Sequence, residues 1–332
     1  MKKRIAIVCG GDSSEHDVSK RSGAGLYSFF DKEKYDIYLV ETRGMDWQVH
    51  LPATNDQQGV VKTPVNLADF SYVENGERKT FDYAYITIHG TPGENGIMQG
   101  YFEMVGIPYS TSGVLVEALT FDKFALNQYL KAFGVSVADS ILIRKGNEKL
   151  INADEVEKQL GMPLFVKPST DGSSFGVTKV KKKEDLAAAI DIALAESDEV
   201  MIEGFLEGTE ITCGCYKTKE KTVVFPITEV VTENEFFDYD AKYNGQVQEI
   251  TPARIPEETA ERVRKITSMI YDILHCNGII RIDYIISPEG KVNMLEINTT
   301  PGMTATSFIP QQVRAAGLDI KDVLTDIVEN QI

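Results

Sequence analysis

Short apolar runs recur along the chain, punctuated by glycine-rich turns and alternating with stretches of helical spacing. Residues 4–9, apolar from Ile5 onward, end at Gly10-Gly11, the pattern of a buried parallel strand with a tight exit. The segment from Asp12 to Ser19 leads into a helix to about residue 30, and residues 35–40 form the next strand, giving a βαβ unit. Residues 41–80 are polar and weakly patterned, which predicts loops and short strands. Residues 83–88 form another buried strand, followed by the glycine-dense loop 89–96, a helix over 98–105 and a turn-rich passage over 107–113. An amphipathic helix runs from Asp122-Lys123 to residue 133, with apolar positions at 124, 126, 130 and 133 and Gly134 as its stop. Strands around residue 141 and over 163–168, a helix over 185–196, a strand at 200–202, strands over 211–232 and a helix over 257–275 follow. Helices from Gln311 onward close the chain.

The stretch 278–302 carries the densest chemistry. It reads as two strands, 278–286 and 291–298, joined by Ser287-Pro288-Glu289-Gly290. Side chains alternate along a strand, so pairing of residues 286 and 291 puts Arg281, Asp283, Met294, Glu296 and Asn298 on one face. Two carboxylates, an amide and a guanidinium would then lie between apolar neighbours, where a bare charge costs roughly several kcal/mol. Oxygen donors of this kind suit Mg²⁺ shared with water and phosphate. A solvated hairpin with Arg281 paired to a carboxylate is the plainer alternative. The tail Asn298-Thr-Thr-Pro-Gly302 favours the metal face, because it delivers backbone N–H groups beside it.

Length adds domain number: 332 residues exceed a usual single core and predict two or three domains. With 42% hydrophobic and 25% charged residues, the composition is that of a globular protein. A net charge of −16 argues against nucleic acid or an anionic membrane as partner, and an anionic ligand would need local cations or metal. No apolar run approaches the roughly 20 residues of a membrane span. The four cysteines lack zinc-type spacing, and buried thiols in a reducing cytoplasm are the reading.

Other candidates keep two readings each. Asp12, Glu15 and Asp17 at the first helix can be ligand groups or caps complementing the helix dipole. His89 opens a loop at a strand's carboxyl end, where such sheets bind ligands, yet a tight connection would look the same. Lys123 alone passes for a surface lysine. Lys167 at a strand end, before the small-residue loop 169–176, makes a phosphate cover or a flexible hairpin. The segment Glu203–Glu210 presents backbone edges to a planar base or acts as a hinge. Residues 234–248, aromatic and acidic, form a long loop with Lys242 and Tyr243 as its working residues. There is no GxGxxG or GxxxxGK[ST].

Six motifs in order carry a resemblance: Gly10-Gly-Asp-Ser-Ser-Glu15-His-Asp-Val-Ser19, His89-Gly-Thr-Pro-Gly-Glu-Asn-Gly96, Lys167-Pro-Ser-Thr-Asp-Gly-Ser-Ser174, Phe237-Asp-Tyr-Asp-Ala-Lys-Tyr243, Arg281-Ile-Asp283 and Glu296-Ile-Asn-Thr-Thr-Pro-Gly-Met-Thr304. Across nearly its whole length the chain resembles the D-alanine–D-alanine ligases of the ATP-grasp superfamily. The resemblance implies an α/β, three-domain fold: an N-terminal parallel-sheet domain (1–121) that binds substrate, then central (122–210) and C-terminal catalytic (211–332) α+β domains gripping ATP. It implies a cytoplasmic enzyme, a homodimer by family habit, that joins two D-alanines for peptidoglycan precursors through an acyl phosphate.

By the same resemblance Lys123, Lys167 and Ser174 hold the nucleotide phosphates, and Glu203, Gly204, Leu206 and Glu210 take adenine and ribose. Asp283, Glu296 and Asn298 hold two Mg²⁺ ions, for which Mn²⁺ can substitute. Glu15 pairs the first ammonium, held through Ser173 and Tyr243, while His89 lines that subsite. Lys242 offsets charge at the γ-phosphate. Arg281 and the Gly302 N–H form an oxyanion hole, and Ser307 and Phe308 bind the second carboxylate. Asn95, where the family has Asp, and Phe175 and Phe308 depart from its usual pattern, whereas Tyr243 favours dipeptide over ester. The alternatives are a D-lactate or D-serine acceptor, or a silent ATP-binding protein, against which the intact set Arg281, Asp283, Glu296 and Asn298 argues.

Overall fold

The computed structural model describes residues 2–51, 61–170, 175–232 and 247–332. Its first sheet comprises β1 (Lys3–Gly10), β2 (Tyr35–Arg43), β3 (Asp46–Leu51), β4 (Val61–Pro64) and β7 (Tyr83–Ile86), in the order β4-β3-β2-β1-β7. The short strands β5 (Tyr72–Glu74) and β6 (Glu77–Lys79) form a separate ribbon. β1 pairs in parallel with both β2 and β7, and helix α1 (His16–Phe29) makes the crossover from β1 to β2. The expectation of a parallel sheet holds only for these three strands. β3 and β4 run antiparallel, because Gly44, at φ +53°, lets the chain reverse directly after β2. The turn out of β1 also needs glycine: Gly10 has φ +101°, and a Cβ there would meet the Thr42 carbonyl oxygen at 2.4 Å.

The second sheet is antiparallel, in the order β10-β9-β11-β8: β8 (Ser140–Arg144), β9 (Leu164–Pro168), β10 (Thr178–Val180) and β11 (Glu199–Gly204). Helices α5 (Ala153–Leu160) and α6 (Leu186–Glu196) bury Val156, Leu186, Ala189, Ile190 and Ala193 against it. The third sheet holds β12 (Thr209–Lys217), β13 (Thr222–Val224), β14 (Thr228–Thr232), β15 (Val247–Ile250), β16 (Ile280–Ile286) and β17 (Val292–Asn298), all paired antiparallel. Helix α7 (Glu257–Leu274) covers one face with Val263, Ile270 and Leu274. Helix α4 (Lys123–Lys131) adds Leu126 and Leu130 to the same core. Cys213 and Cys215 lie fully buried there, and all four cysteines are free and buried.

The last helices, α8 (Phe308–Ala315) and α9 (Ile320–Gln331), return to the first sheet. Val313, Val323, Leu324, Ile327 and Val328 share a core with Ile5, Ile7 and Leu26. The turn after β17 lies beside the carboxyl end of β7, where Thr300 bonds to the Ile88 carbonyl. The helix expected from Gln311 starts earlier, at Phe308. Pro310 falls in its first turn, where a missing N–H costs nothing because that donor has no partner within the helix. The helix expected over 98–105 forms as α2 (Ile97–Val105), whereas two helices escape the sequence pattern. α3 (Val114–Phe121) is an apolar run without period, and α5 buries a single side chain, Val156. Among the described residues no helix is long and apolar enough to cross a membrane.

Candidate active site

The β16–β17 ribbon forms as the sequence suggests, but in another register. Arg281 pairs with Asn298 and Asp283 with Glu296, then the register shifts so that Tyr284 faces Met294. The extra residue, Leu295, makes a bulge that reverses the alternation. Arg281, Asp283, Glu296 and Asn298 therefore share one half-buried face. Met294, expected beside them, turns into the core with Tyr284 and is 1% exposed. An apolar side chain gains more from that core than from a polar face.

On this face Arg281 donates from Nε and Nη2 to the two Asp283 oxygens at 3.0 and 2.8 Å, a bidentate pair. Asn298 Nδ2 donates to Asp283 Oδ2 at 3.1 Å. The Arg281 guanidinium lies 5.2 Å from the centre of the Phe308 ring, which accounts for an aromatic residue at the start of α8. Burial works against the charge on Arg281, but Asp283, then Glu296 and Glu94, outweigh it and raise its pKa above the ordinary value.

The turn after β17 is tied to the rest of the site through its hydroxyls and amides. Thr300 Oγ1 donates to the Ile88 carbonyl at 3.0 Å. The Met303 N–H donates to Ser22 Oγ at 3.3 Å, and Ser22 Oγ lies 3.1 Å from His89 Nε2. Ser307 Oγ accepts from the Thr304 N–H at 3.1 Å, and a Cβ on Gly302 would come within 3.0 Å of that hydroxyl. These contacts link Arg281 to Phe308, Gly302 to Ser307, and His89 through Ser22 to Met303. Glu15 stands at the start of α1, and its charge acts on both His89 and Glu94. Burial lowers the His89 pKa against the opposing pull of Glu15, which favours the neutral ring. Burial also raises the Glu94 carboxyl to about 7, against the Gly90 N–H, which donates to it at 2.7 Å. Asn95 bonds to Thr91 Oγ1 at 2.9 Å, so its loop keeps an internal partner without the aspartate.

The nucleotide candidates gather on the second sheet. The Lys123 N–H donates to the Ser169 carbonyl at 2.8 Å, and Ser169 Oγ donates to Asp122, the α4 cap, at 2.6 Å, so Lys123 is anchored to the end of β9 that carries Lys167. Lys167 forms a salt bridge with Glu203, with side chains only 14% and 7% exposed. The sequence reading gave these two separate ends of a nucleotide; in this structure they neutralise each other. The Gly204 N–H donates to the Asp139 carbonyl at 3.0 Å. Leu206 lies in the link between β11 and β12, and Glu210 sits in β12 beside β14 and β16. Ser173, Ser174, Lys242 and Tyr243 lie outside the described residues, as does most of the loop 234–248.

Among the described residues no three His, Cys, Asp or Glu side chains converge as a metal cage. Two carboxylates and an amide on adjacent register positions nevertheless fit Mg²⁺, which takes few protein oxygens and keeps places for water and phosphate. The sequence reading missed Ser22, Glu94, Glu117 and Thr300. The usable signals were Glu94 inside a loop already singled out, and Glu117 as the one acid in the apolar run VLVEALTF.

An α/β chain with three larger sheets, a carboxylate-bearing ribbon in the third and the half-buried Lys167 on the second, has the build of an ATP-grasp ligase. Family profiles agree: "D-ala D-ala ligase N-terminus" matches residues 4–112 and "D-ala D-ala ligase C-terminus" matches 129–329. A D-alanine--D-alanine ligase of Phocaeicola vulgatus is 68% identical over 331 residues, covering 100% of both chains, and one of Bacteroides fragilis is 63% identical over the same span. Among solved structures, VanG D-Ala:D-Ser ligase from Enterococcus faecalis superposes with TM-score 0.87 at 31% identity, covering 100% of both chains. D-alanine--D-alanine ligase from Bacillus anthracis complexed with ATP gives TM-score 0.77 at 31% identity, covering 99% of this chain and 97% of that one. The chain belongs to the D-alanine–D-alanine ligase family.

Proposed function

We infer that the site joins two D-alanines into D-alanyl-D-alanine for peptidoglycan precursors, with ATP converted to ADP and phosphate through an acyl phosphate. The first D-alanine lies between Glu15, which pairs its ammonium, and neutral His89. Its carboxylate attacks the γ-phosphorus of ATP, whose phosphates are held by Lys123, Ser174 and Lys167, the last turning from Glu203 to the phosphates when ATP binds, and whose adenosine is held by Glu203, Gly204, Leu206 and Glu210. Mg²⁺ at Asp283, Glu296 and Asn298 would offset phosphate charge. Lys242 adds a cation there, and Ser173 and Tyr243 hold Glu15. The second D-alanine, its carboxylate on Ser307 beside Phe308, attacks the acyl carbon with its amine. Arg281 and the Gly302 N–H stabilise the tetrahedral oxyanion.

The observation that carries this reading is the Arg281 guanidinium, locked by Asp283 in a bidentate pair and lying over the Phe308 ring. A donor fixed before the oxyanion develops needs no reorganisation during the reaction. The proposed domain limits are 1–121, 122–210 and 211–332; the three larger sheets support this division, with β12 beginning at Thr209 and α4 packing in the third core. Free buried cysteines fit a cytoplasmic protein, and a homodimer follows the family. Phosphate release with Mg-ATP and D-alanine alone, then with D-lactate or D-serine as competing acceptor, tests the acceptor. The reading requires turnover on D-alanine alone, and release confined to a hydroxy acid or to D-serine overturns it.

A further inference from the structure

The turn that presents Gly302 is held from the first domain by a buried acid. Glu117 lies in α3 with 0% exposure, and its Oε2 accepts a hydrogen bond from Thr299 Oγ1, next to Asn298. Its other oxygen, Oε1, is buried with no well-formed hydrogen bond among the described residues, and the Ser112 backbone N–H also acts on this carboxyl. We propose that Glu117 is a positioning residue for catalysis, fixing the Asn298–Gly302 turn through the Thr299 hydroxyl so that the Gly302 N–H meets the oxyanion. An acid at 0% exposure in this mostly apolar helix carries a desolvation cost that its hydrogen bonding must offset. Burying one polar oxygen without a partner is costly, and the carboxyl is retained where its other oxygen holds the turn.

Burial pushes this carboxyl well above the usual carboxylate range, which favours the uncharged acid, and its Oε2 accepts from Thr299. Glutamine reproduces that acceptor, and leucine removes it at similar volume. The Thr300 bond to Ile88 and the Met303 bond to Ser22 hold the far side of the same turn, so loss of the Thr299 tie shifts the turn without freeing it. A displacement on the order of 1 Å at a reacting centre costs about 100-fold in rate.

The proposal rests on the oxyanion role given to Arg281 and Gly302, and the test keeps the two apart. Glu117→Leu, Thr299→Val, their double variant, Glu117→Gln and Arg281→Met are compared as full chains with Mg-ATP and D-alanine, with rates normalised to ATP-binding sites. Glu117→Leu and Thr299→Val should each lower kcat by about 100-fold with ATP affinity kept, and the double variant should be no worse than either. Phosphate released per dipeptide should rise above one, because the acyl phosphate forms but is attacked slowly and hydrolyses. Glu117→Gln should keep kcat within about threefold and a coupling ratio of one. Should Glu117→Leu fail to fold, Thr299→Val tests the same hydrogen bond from its other end. The proposal is overturned if Thr299→Val keeps full, coupled turnover, or if Glu117→Gln loses as much as Glu117→Leu. Full activity in Arg281→Met overturns the site reading itself, whereas loss there with full activity in Thr299→Val overturns only the role of Glu117.

Discussion

Replacing Arg281 by methionine separates what this residue does for stability from what it does for chemistry. Methionine keeps the aliphatic contact on Phe308 but removes both donors to Asp283. The Arg281 and Asp283 side chains are 14% and 13% exposed, so Asp283 would be left a largely buried charge. Removing one partner of a buried pair costs about 3–5 kcal/mol. The lower end applies here, because Asn298 Nδ2 still donates to Asp283 at 3.1 Å and Asp283 keeps 13% of its side chain exposed. Urea unfolding of the ligand-free protein should therefore show a loss of about 3 kcal/mol. Adding Asp283→Asn removes the orphan charge and should restore most of that loss. Activity should behave differently: without an oxyanion donor, phosphate release with D-alanine should fall about 10²–10³-fold, and the second substitution should restore none of it. Arg281→Met with kcat/KM within about threefold of the parent would refute the oxyanion assignment. A stability loss under about 1 kcal/mol would refute the buried-pair argument.

Two further variants test neighbouring groups. Glu15→Gln should abolish dipeptide synthesis while ATP binding, followed by titration calorimetry, stays near the parent value; a parallel fall in ATP affinity would remove Glu15 from the amino-acid subsite. Glu94 is raised from 4.5 to about 7 by burial, so the folded chain keeps a proton that the unfolded chain loses. Its contribution to stability is complete below about pH 4.5 and declines as the pH climbs to 7. The stability of Glu94→Gln relative to the parent should consequently grow by about 2–3 kcal/mol between pH 5 and 8. A difference that is flat with pH would place Glu94 in water.

Much of this site is legible in the sequence, because its chemistry sits at strand ends and in turns where residue type is constrained. Gly10, at φ +101° against Thr42, and the alternation of Arg281 with Asp283 are written in local residues. The bulge at Leu295 is not, since alternation predicts a face but not where a ladder gains a residue. That single insertion moves Met294 from the polar face to the core. The Lys167–Glu203 pair was equally hidden, because it depends on β9 and β11 being neighbours. Glu117 belongs to the same group: its purpose lies in a hydroxyl 182 residues away, which no local pattern records.

The central claim is that a carboxylate oxygen of the first D-alanine attacks phosphorus before the peptide bond forms. D-alanine labelled with ¹⁸O in its carboxylate, turned over with Mg-ATP and with the released phosphate read by mass spectrometry, tests this directly. The account predicts one labelled oxygen in the phosphate for each dipeptide made; dipeptide formed with unlabelled phosphate would contradict it.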